Sequence, residues 1–206
     1  MICPRYADSM AYAPPAGADP RFADLAPMVP LAGWERVATA PVATLFAAER
    51  RTRYGKLRVY ADTSVIGGCE DEEFREASRL LIQKCRRGEM TLVVSSLTYQ
   101  ELEDAPHRVQ EVLESVGDAD RDVIGVTEEV KRLAGRYVEA GALTHGMRAD
   151  AEHIAAATVA GVDRLVSWNF RHMVNPWRIR RFNEVNRRMG YSPVRICTPQ
   201  EIHDEE

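Results

Sequence analysis

An α/β protein with a mainly parallel sheet, covered by helices on both faces, is the fold class that this sequence predicts. Two observations carry that expectation. Short apolar runs with strand character recur along the chain, as LRVYA, TLVVSS, RLVSW and VRICT. Between them lie segments whose apolar residues repeat at helical spacing, and such alternation is the signature of a sheet wrapped by helices.

The elements follow in order from residue 57. Residues 57–61 (LRVYA) read as a strand, after which Gly67 and Gly68 suit a tight turn that leads the chain away. From Glu70 to Arg87 the pattern is an amphipathic helix with Phe74, Ala77, Leu80, Leu81 and Cys85 on one side. Gly88 suits the position just past its last turn. Residues 91–96 (TLVVSS) form the second predicted strand, and short helices are expected at 97–104 and 106–116, divided at Pro106. Longer helices are predicted from Thr127 to Ala140 and from Ala149 to Ala160. A third strand at 164–168, a helix at 177–189 and a last strand at 194–198 complete the pattern, with no internal repeat. Upstream, residues 1–33 are rich in Ala and Pro and show no sustained period; residues 34–50 suit a short helix after Pro41. The expected organisation is an irregular or disordered extension over residues 1–56, which a start codon assigned too far upstream also explains, followed by one domain over 57–206.

Bulk composition narrows the function classes. A chain of 206 residues with 45% hydrophobic and 28% charged residues is an ordinary globular protein. Its apolar runs are much shorter than the roughly 18 residues a membrane span needs, and its N-terminus lacks the layout of a signal peptide. The four cysteines show no CxxC pairing, so a zinc or redox motif is not indicated and a reduced, cytoplasmic protein is expected. A net charge of −4 argues against a general nucleic-acid coat. Two local basic clusters stand out, Arg178, Arg180, Arg181, Arg187 and Arg188, and Arg50, Arg51, Arg53, Lys56 and Arg58. Solvated helix faces explain such clusters, and phosphate contacts are the alternative.

Acidic residues fall where strands end. Asp62 follows the first strand in VYADTSVIGG, and Glu101 lies about one turn past the second in SSLTYQELED. Asp150 opens the helix DAEHIAAATVAG, and Asn169 follows the third strand in LVSWNF. Ligands of α/β proteins sit outside the carboxyl ends of strands. Each residue also has a plainer explanation: Asp62 as a turn acceptor, Glu101 as part of a Thr98–Glu101 capping box, Asp150 as a helix-dipole partner. Asp150, however, shares a helix face with Ile154, Ala157 and Gly161, and Glu101 stands i+4 from Leu97. Inward-facing carboxylates are costly unless paired or metal-bound. Three that converge favour a hard cation, Mg²⁺ or Mn²⁺, over Zn²⁺.

VYADTSVIGG, SSLTYQELEDAP and RADAEHIAAATVAGVDRLVSWNF, in this order and spacing, resemble the PIN-domain family over about residues 57–200. That family comprises metal-dependent ribonucleases, many of them toxins of VapBC-type type II toxin–antitoxin pairs. The resemblance implies a PIN-like three-layer α/β/α sandwich around a four- or five-stranded parallel sheet, and frequent homodimers. It implies Asp62, Glu101 and Asp150 as ligands of Mg²⁺ or Mn²⁺, and Ser64 as the hydroxyl that steadies a metal-bound water. The family's fourth acidic position falls on Asn169, a departure that removes one negative charge and puts a second ion in doubt. An RNA substrate and a cognate antitoxin protein are the implied partners, with Arg178, Arg180 and Arg181 as candidates to hold RNA phosphates.

Other residues leave alternatives open. Trp168 and Trp177 can stack on a base or simply pack. His153 and His172 are acid–base candidates, although packing explains His153. An aspartyl-phosphate mechanism with Asp62 as nucleophile is a rival; Ser64 occupies the place where such phosphatases typically carry a second aspartate. A PIN-like binding module with a compromised site, acting through a partner, is the non-catalytic alternative.

Overall fold

The computed structural model describes residues 55–204. The expected extension up to residue 54, the short helix within 34–50 and the basic residues Arg50, Arg51 and Arg53 lie outside the described residues.

A five-stranded sheet in the order β3-β2-β1-β4-β5 forms the centre of the domain. Its strands are β1 (Leu57–Ala61), β2 (Met90–Ser95), β3 (Arg121–Ile124), β4 (Arg164–Val166) and β5 (Ile196–Cys197). All four neighbouring pairs run parallel. Helices fill every crossover: α1 (Thr63–Gly68) and α2 (Arg75–Arg86) after β1, α3 (Ser96–Leu102) and α4 (His107–Glu114) after β2. After β3 come α5 (Glu128–Glu139), a short 3₁₀ turn at His145–Met147 and α6 (Arg148–Val159). Helix α7 (Pro176–Arg188) links β4 to β5, and α8 (Pro199–Asp204) ends the described chain. No helix of the described residues is long and apolar enough to cross a membrane.

The strand residues alternate between two cores, as the pleat requires. Tyr60, Val93, Leu165 and Ile196 face a cluster with Val130, Leu133 and Tyr137 of α5, Ile154 of α6 and Phe182 of α7. Val59, Ala61, Leu92, Val94, Val166 and Cys197 face Val65 and Ile66 of α1, Leu81 and Cys85 of α2, and Leu113 of α4. This is the three-layer α/β/α sandwich, with a parallel sheet buried on both faces. Cys69, Cys85 and Cys197 are buried free thiols; burial pushes Cys69 and Cys85 up to about 12 and Cys197 up to about 11, which leaves them inert.

Three local differences from the sequence pattern have physical reasons. Strand β3 was not expected, because RDVI is short, polar and on an open sheet edge, with Val123 52% exposed. Its charges are used: Asp122 pairs with the buried Arg58 at 2.7 Å and Arg121 with Asp118 at 2.6 Å, and just before the strand Asp120 pairs with Lys56 at 2.8 Å. Part of the second basic cluster is thus structural. The predicted helix at Glu70–Arg87 begins only at Arg75, after turns around Asp71.

The double glycine is the third difference. Gly67 and Gly68 do not turn the chain sharply; both belong to α1. A Cβ on Gly68 would lie 2.7 Å from Ser78 Oγ and 3.0 Å from Trp168 Nε1, whereas one on Gly67 would meet nothing within 4 Å. Gly68 therefore makes room for an indole and Gly67 does not. Gly68→Ala is expected to lower stability by about 1–3 kcal/mol through overpacking. Gly67→Ala should be neutral or stabilising by up to about 1 kcal/mol, since it only removes unfolded-state freedom. Urea titration of both variants reads the contrast, and equal destabilisation would contradict it.

Candidate functional site

In this strand order the chain builds from β1 outward to β2 and β3, then crosses back to β4 and β5 on the other side. The loops leaving β1 and β4 therefore part, which opens a crevice at their carboxyl ends. Asp62 and Ser167 stand there. The register pairs Ala61 with Val166, so the next residue on each strand falls beside the other.

Asp62 is the N-cap of α1. Its Oδ1 accepts from Ser64 Oγ at 2.6 Å and from the Val65 amide at 3.3 Å, and its Oδ2 accepts from Ser167 Oγ at 2.7 Å. The residue is only 5% exposed. Burial raises its carboxyl above the usual range, against the lowering effects of the His153 charge, the two serine hydroxyls and the Val65 amide.

Ser64 is held in turn, since its Oγ accepts from the Trp168 amide at 2.9 Å. Ser167 accepts from the Asn169 amide at 2.9 Å, and Asn169 Nδ2 donates to Asp150 Oδ1 at 3.0 Å. Asp150, in the first turn of α6, also lies 2.8 Å from His172 Nδ1 through its Oδ2. Asn169 Oδ1 accepts from the His172 amide at 3.0 Å, which fixes that loop. His172 Nε2 is buried and has no partner among the described residues.

Glu101, on α3, accepts from Thr63 Oγ1, and its Oε2 lies 3.1 Å from His153 Nε2. His153 is 3% exposed, with Nδ1 2.7 Å from the Tyr60 hydroxyl; that hydroxyl is also 2.8 Å from Ser95 Oγ. The Tyr60 hydroxyl donates to Ser95 Oγ, and the His153 ring bridges that hydroxyl to Glu101. Burial raises the Glu101 carboxyl, but the hydrogen bonds from His153 and Thr63 and the His153 charge outweigh it and bring it below the usual range. The capping box at this helix is made by Ser95 and Thr98, which leaves Glu101 free of that task.

Hydrogen bonds thus join Asp62, Ser64, Asn169 and Asp150 at one sheet edge, and Thr63, next to Asp62, carries the connection to Glu101. The donor chemistry suits Mg²⁺ or Mn²⁺, being carboxylate and hydroxyl oxygens. The spacing does not: among the described residues no three His, Cys, Asp or Glu side chains come together as ligands for an ion. Each carboxylate is turned instead toward donors of the protein.

Two of the three basic residues singled out on α7 are engaged by the main chain. Arg178 donates to the Ala142 carbonyl, and Arg181 to the Ala140 carbonyl at 2.6 Å, so both satisfy main-chain oxygens where α5 ends. Arg181 also lies 4.9 Å over the exposed Trp177 ring. Arg180 is exposed. Sequence reasoning overlooked Ser167 and Thr63. A hydroxyl directly after the apolar run RLV, level with Asp62 on the neighbouring strand, was the available signal for Ser167.

Comparison with known proteins adds little. No family model and no curated protein matches the chain. Among solved structures, one similar chain comes from the crystal structure of VapBC2 from Rickettsia felis bound to a DNA fragment from their promoter. It shares 12% identity with a TM-score of 0.45, over 69% of this chain and 98% of that one.

The raised Asp62 carboxyl fixes the sign of a pH effect. A group whose pKa is higher folded than unfolded favours folding fully at low pH. That contribution is lost as pH rises from the ordinary carboxylate range through the raised value. Asp62→Asn keeps the cap acceptor, and its amide can donate to Ser167 Oγ, whose proton can turn to Met173 Sδ, 3.5 Å away. Asp62→Asn should therefore melt higher than wild type near pH 7 (about neutral), with the difference shrinking toward about pH 4. A lower melting temperature at neutral pH would contradict the burial cost assigned to Asp62.

Proposed function

We propose that the chain is a ribonuclease that hydrolyses phosphodiester bonds of RNA, acting as the toxin of a type II toxin–antitoxin pair. The observation that supports this most is the hydrogen-bonded chain that runs from Asp62 through Ser167 and Asn169 to Asp150 where β1 and β4 part, with Glu101 joined to it through Thr63 beside Asp62. The motifs that resemble PIN domains supply the substrate class and the antitoxin partner. In the reaction a water adds to phosphorus, one bridging P–O bond breaks, and the two strand ends separate.

The residues have distinct tasks in this reading. Ser64 Oγ donates to Asp62 and accepts from the Trp168 amide, which leaves one acceptor position to hold a water. The same engagement makes it unsuited to covalent attack. Asp62 has both oxygens occupied and is buried, which also counts against a phosphoryl-enzyme mechanism. Asp150 orders the Asn169–His172 loop at the rim of the crevice. Mg²⁺ or Mn²⁺ belongs to this reading as the counter-charge without which a phosphate is repelled from Asp62, Glu101 and Asp150.

The spacing of the carboxylates favours one second reading, a binding module without catalysis. Calorimetric titration with Mn²⁺ separates the two. The nuclease reading expects binding by wild type and none by Asp62→Ala. It also expects Mn²⁺-dependent cleavage of single-stranded RNA that falls roughly 100-fold or more in Glu101→Ala and Asp150→Ala, with unchanged circular dichroism. Wild-type protein that neither binds Mn²⁺ nor cleaves RNA leaves the binding module.

A further inference from the structure

Beside the carboxylates lies a cluster of aromatic rings at the margin of the second core, against which Trp168 packs. Phe74 and Trp168 stack with centroids 4.5 Å apart and planes at 26°. Phe170 adds a third ring, 6.5 Å from Phe74 and 6.0 Å from Trp168. Phe170 is 52% exposed, which is unusual for a ring already touching two others. The cluster is anchored: Trp168 Nε1 donates to the buried Ser78 Oγ at 2.8 Å, and its indole occupies the space that the missing Gly68 side chain leaves.

The segment SWNF ties this cluster to the site residue by residue. Ser167 and Asn169 bond to Asp62 and Asp150, while Trp168 and Phe170, alternating with them, join Phe74. The Trp168 amide also donates to Ser64. A strand whose phosphate lies at Ser64, where a water can be held, brings its neighbouring base toward these rings. We propose that Phe170, with Trp168 and Phe74 behind it, is a stacking platform for an unpaired nucleobase next to the scissile phosphate of the RNA that the proposed nuclease cleaves.

Charge around the platform favours a base over a backbone. Asp71, Glu72, Glu73 and Glu76 are exposed near Phe74 in the chain and outnumber the exposed Arg75 and Arg79, a balance that disfavours a duplex with its dense phosphates. Arg171, exposed and next to Phe170, leaves one side open to a flanking phosphate. Base–aromatic stacking needs no particular base, and it depends less on salt than phosphate contacts do. A basic peptide could use the same acidic rim, and the test includes it.

The inference rests on the nuclease reading for the phosphate's position, but binding can be measured without cleavage. The full chain, with Ca²⁺ as the counter-charge and again in EDTA, is titrated into a fluorescein-labelled single-stranded RNA, the same RNA annealed to its complement, and an oligo-arginine peptide. Expected are preference for the single strand, binding roughly tenfold or more weaker in Phe170→Ala, and recovery in Phe170→Tyr. RNA should quench tryptophan emission in wild type, and the quench should fall in Trp168→Phe while binding persists. Because Phe170 is half exposed, its truncation leaves the fold intact, which circular dichroism checks.

Equal RNA affinity of wild type and Phe170→Ala, or a Phe170-dependent preference for oligo-arginine over RNA, overturns the platform. Phe170-dependent RNA binding without cleavage under any metal condition supports the platform and defeats the nuclease reading alone. Cleavage with the same KM in wild type and Phe170→Ala does the reverse.

Discussion

The buried carboxylate of Asp62 is the constraint around which this sheet edge is organised. An acid at the end of a central parallel strand, closed off by helices, loses its water and must be given donors in exchange. Here three donors come from two directions: Ser64 and the Val65 amide from the helix it caps, and Ser167 from just past the strand across the switch point. The compensation is partial, since burial still holds the carboxyl above its usual range. The donors are committed in turn. Ser64 also receives the Trp168 amide and Ser167 the Asn169 amide, so the loop after β4 is positioned by the same acid that ends β1.

Glu101 shows how differently one edge can treat two carboxylates. It is about one-third exposed along its side chain, and donors on Thr63 and His153 hold it below the usual range. As pH falls Asp62 takes up a proton first, while Glu101 keeps its charge to lower pH. Environments that push two acids apart in this way are a recurring property of reaction centres, although structural networks do the same. The supports of Glu101 are buried: His153 stands on α6 and reaches Tyr60 on β1, so a partly exposed acid on a seven-residue helix is braced from the core.

What was legible in the sequence follows from burial. Strands β1, β2 and β4 were readable from the apolar runs LRVYA, TLVVSS and RLV, and helices α2, α5 and α7 from apolar residues at helical spacing, while α6, buried on nearly every side, was readable from its run of small and apolar residues. Strand β3 was not, because an edge strand needs few apolar residues and RDVI serves ion pairs instead. Helix α1 was hidden by Gly67 and Gly68, whose usual meaning is a turn; only the distant Trp168 explains why Gly68 is there. The candidate carboxylates could be named because they follow strand ends. Their hydrogen-bond partners could not, since Ser167, Thr63 and His172 acquire meaning only through register and loop path. The arginines of α7 show the opposite limit. A basic run reads the same whether it meets phosphate or, like Arg178 and Arg181, the carbonyls at the end of a neighbouring helix.

The four residues after β4 connect chemistry to recognition. Ser167 and Asn169 turn toward acids, and Trp168 and Phe170 toward Phe74, so one short segment carries a polar face and an aromatic face. Such a segment cannot move one face without the other. Its amides are bonded to Ser64 and to Ser167 itself, and its indole is wedged between Ser78 and Gly68. A shift of the rings pulls the Trp168 amide from Ser64, and through Ser64 it alters the donors around Asp62. Conversely, the loss of Asp62's oxygens releases Ser167 and with it the start of the loop. Geometry at the carboxylates and geometry at the rings are therefore one property of the fold, set by the parting of the chain between β1 and β4.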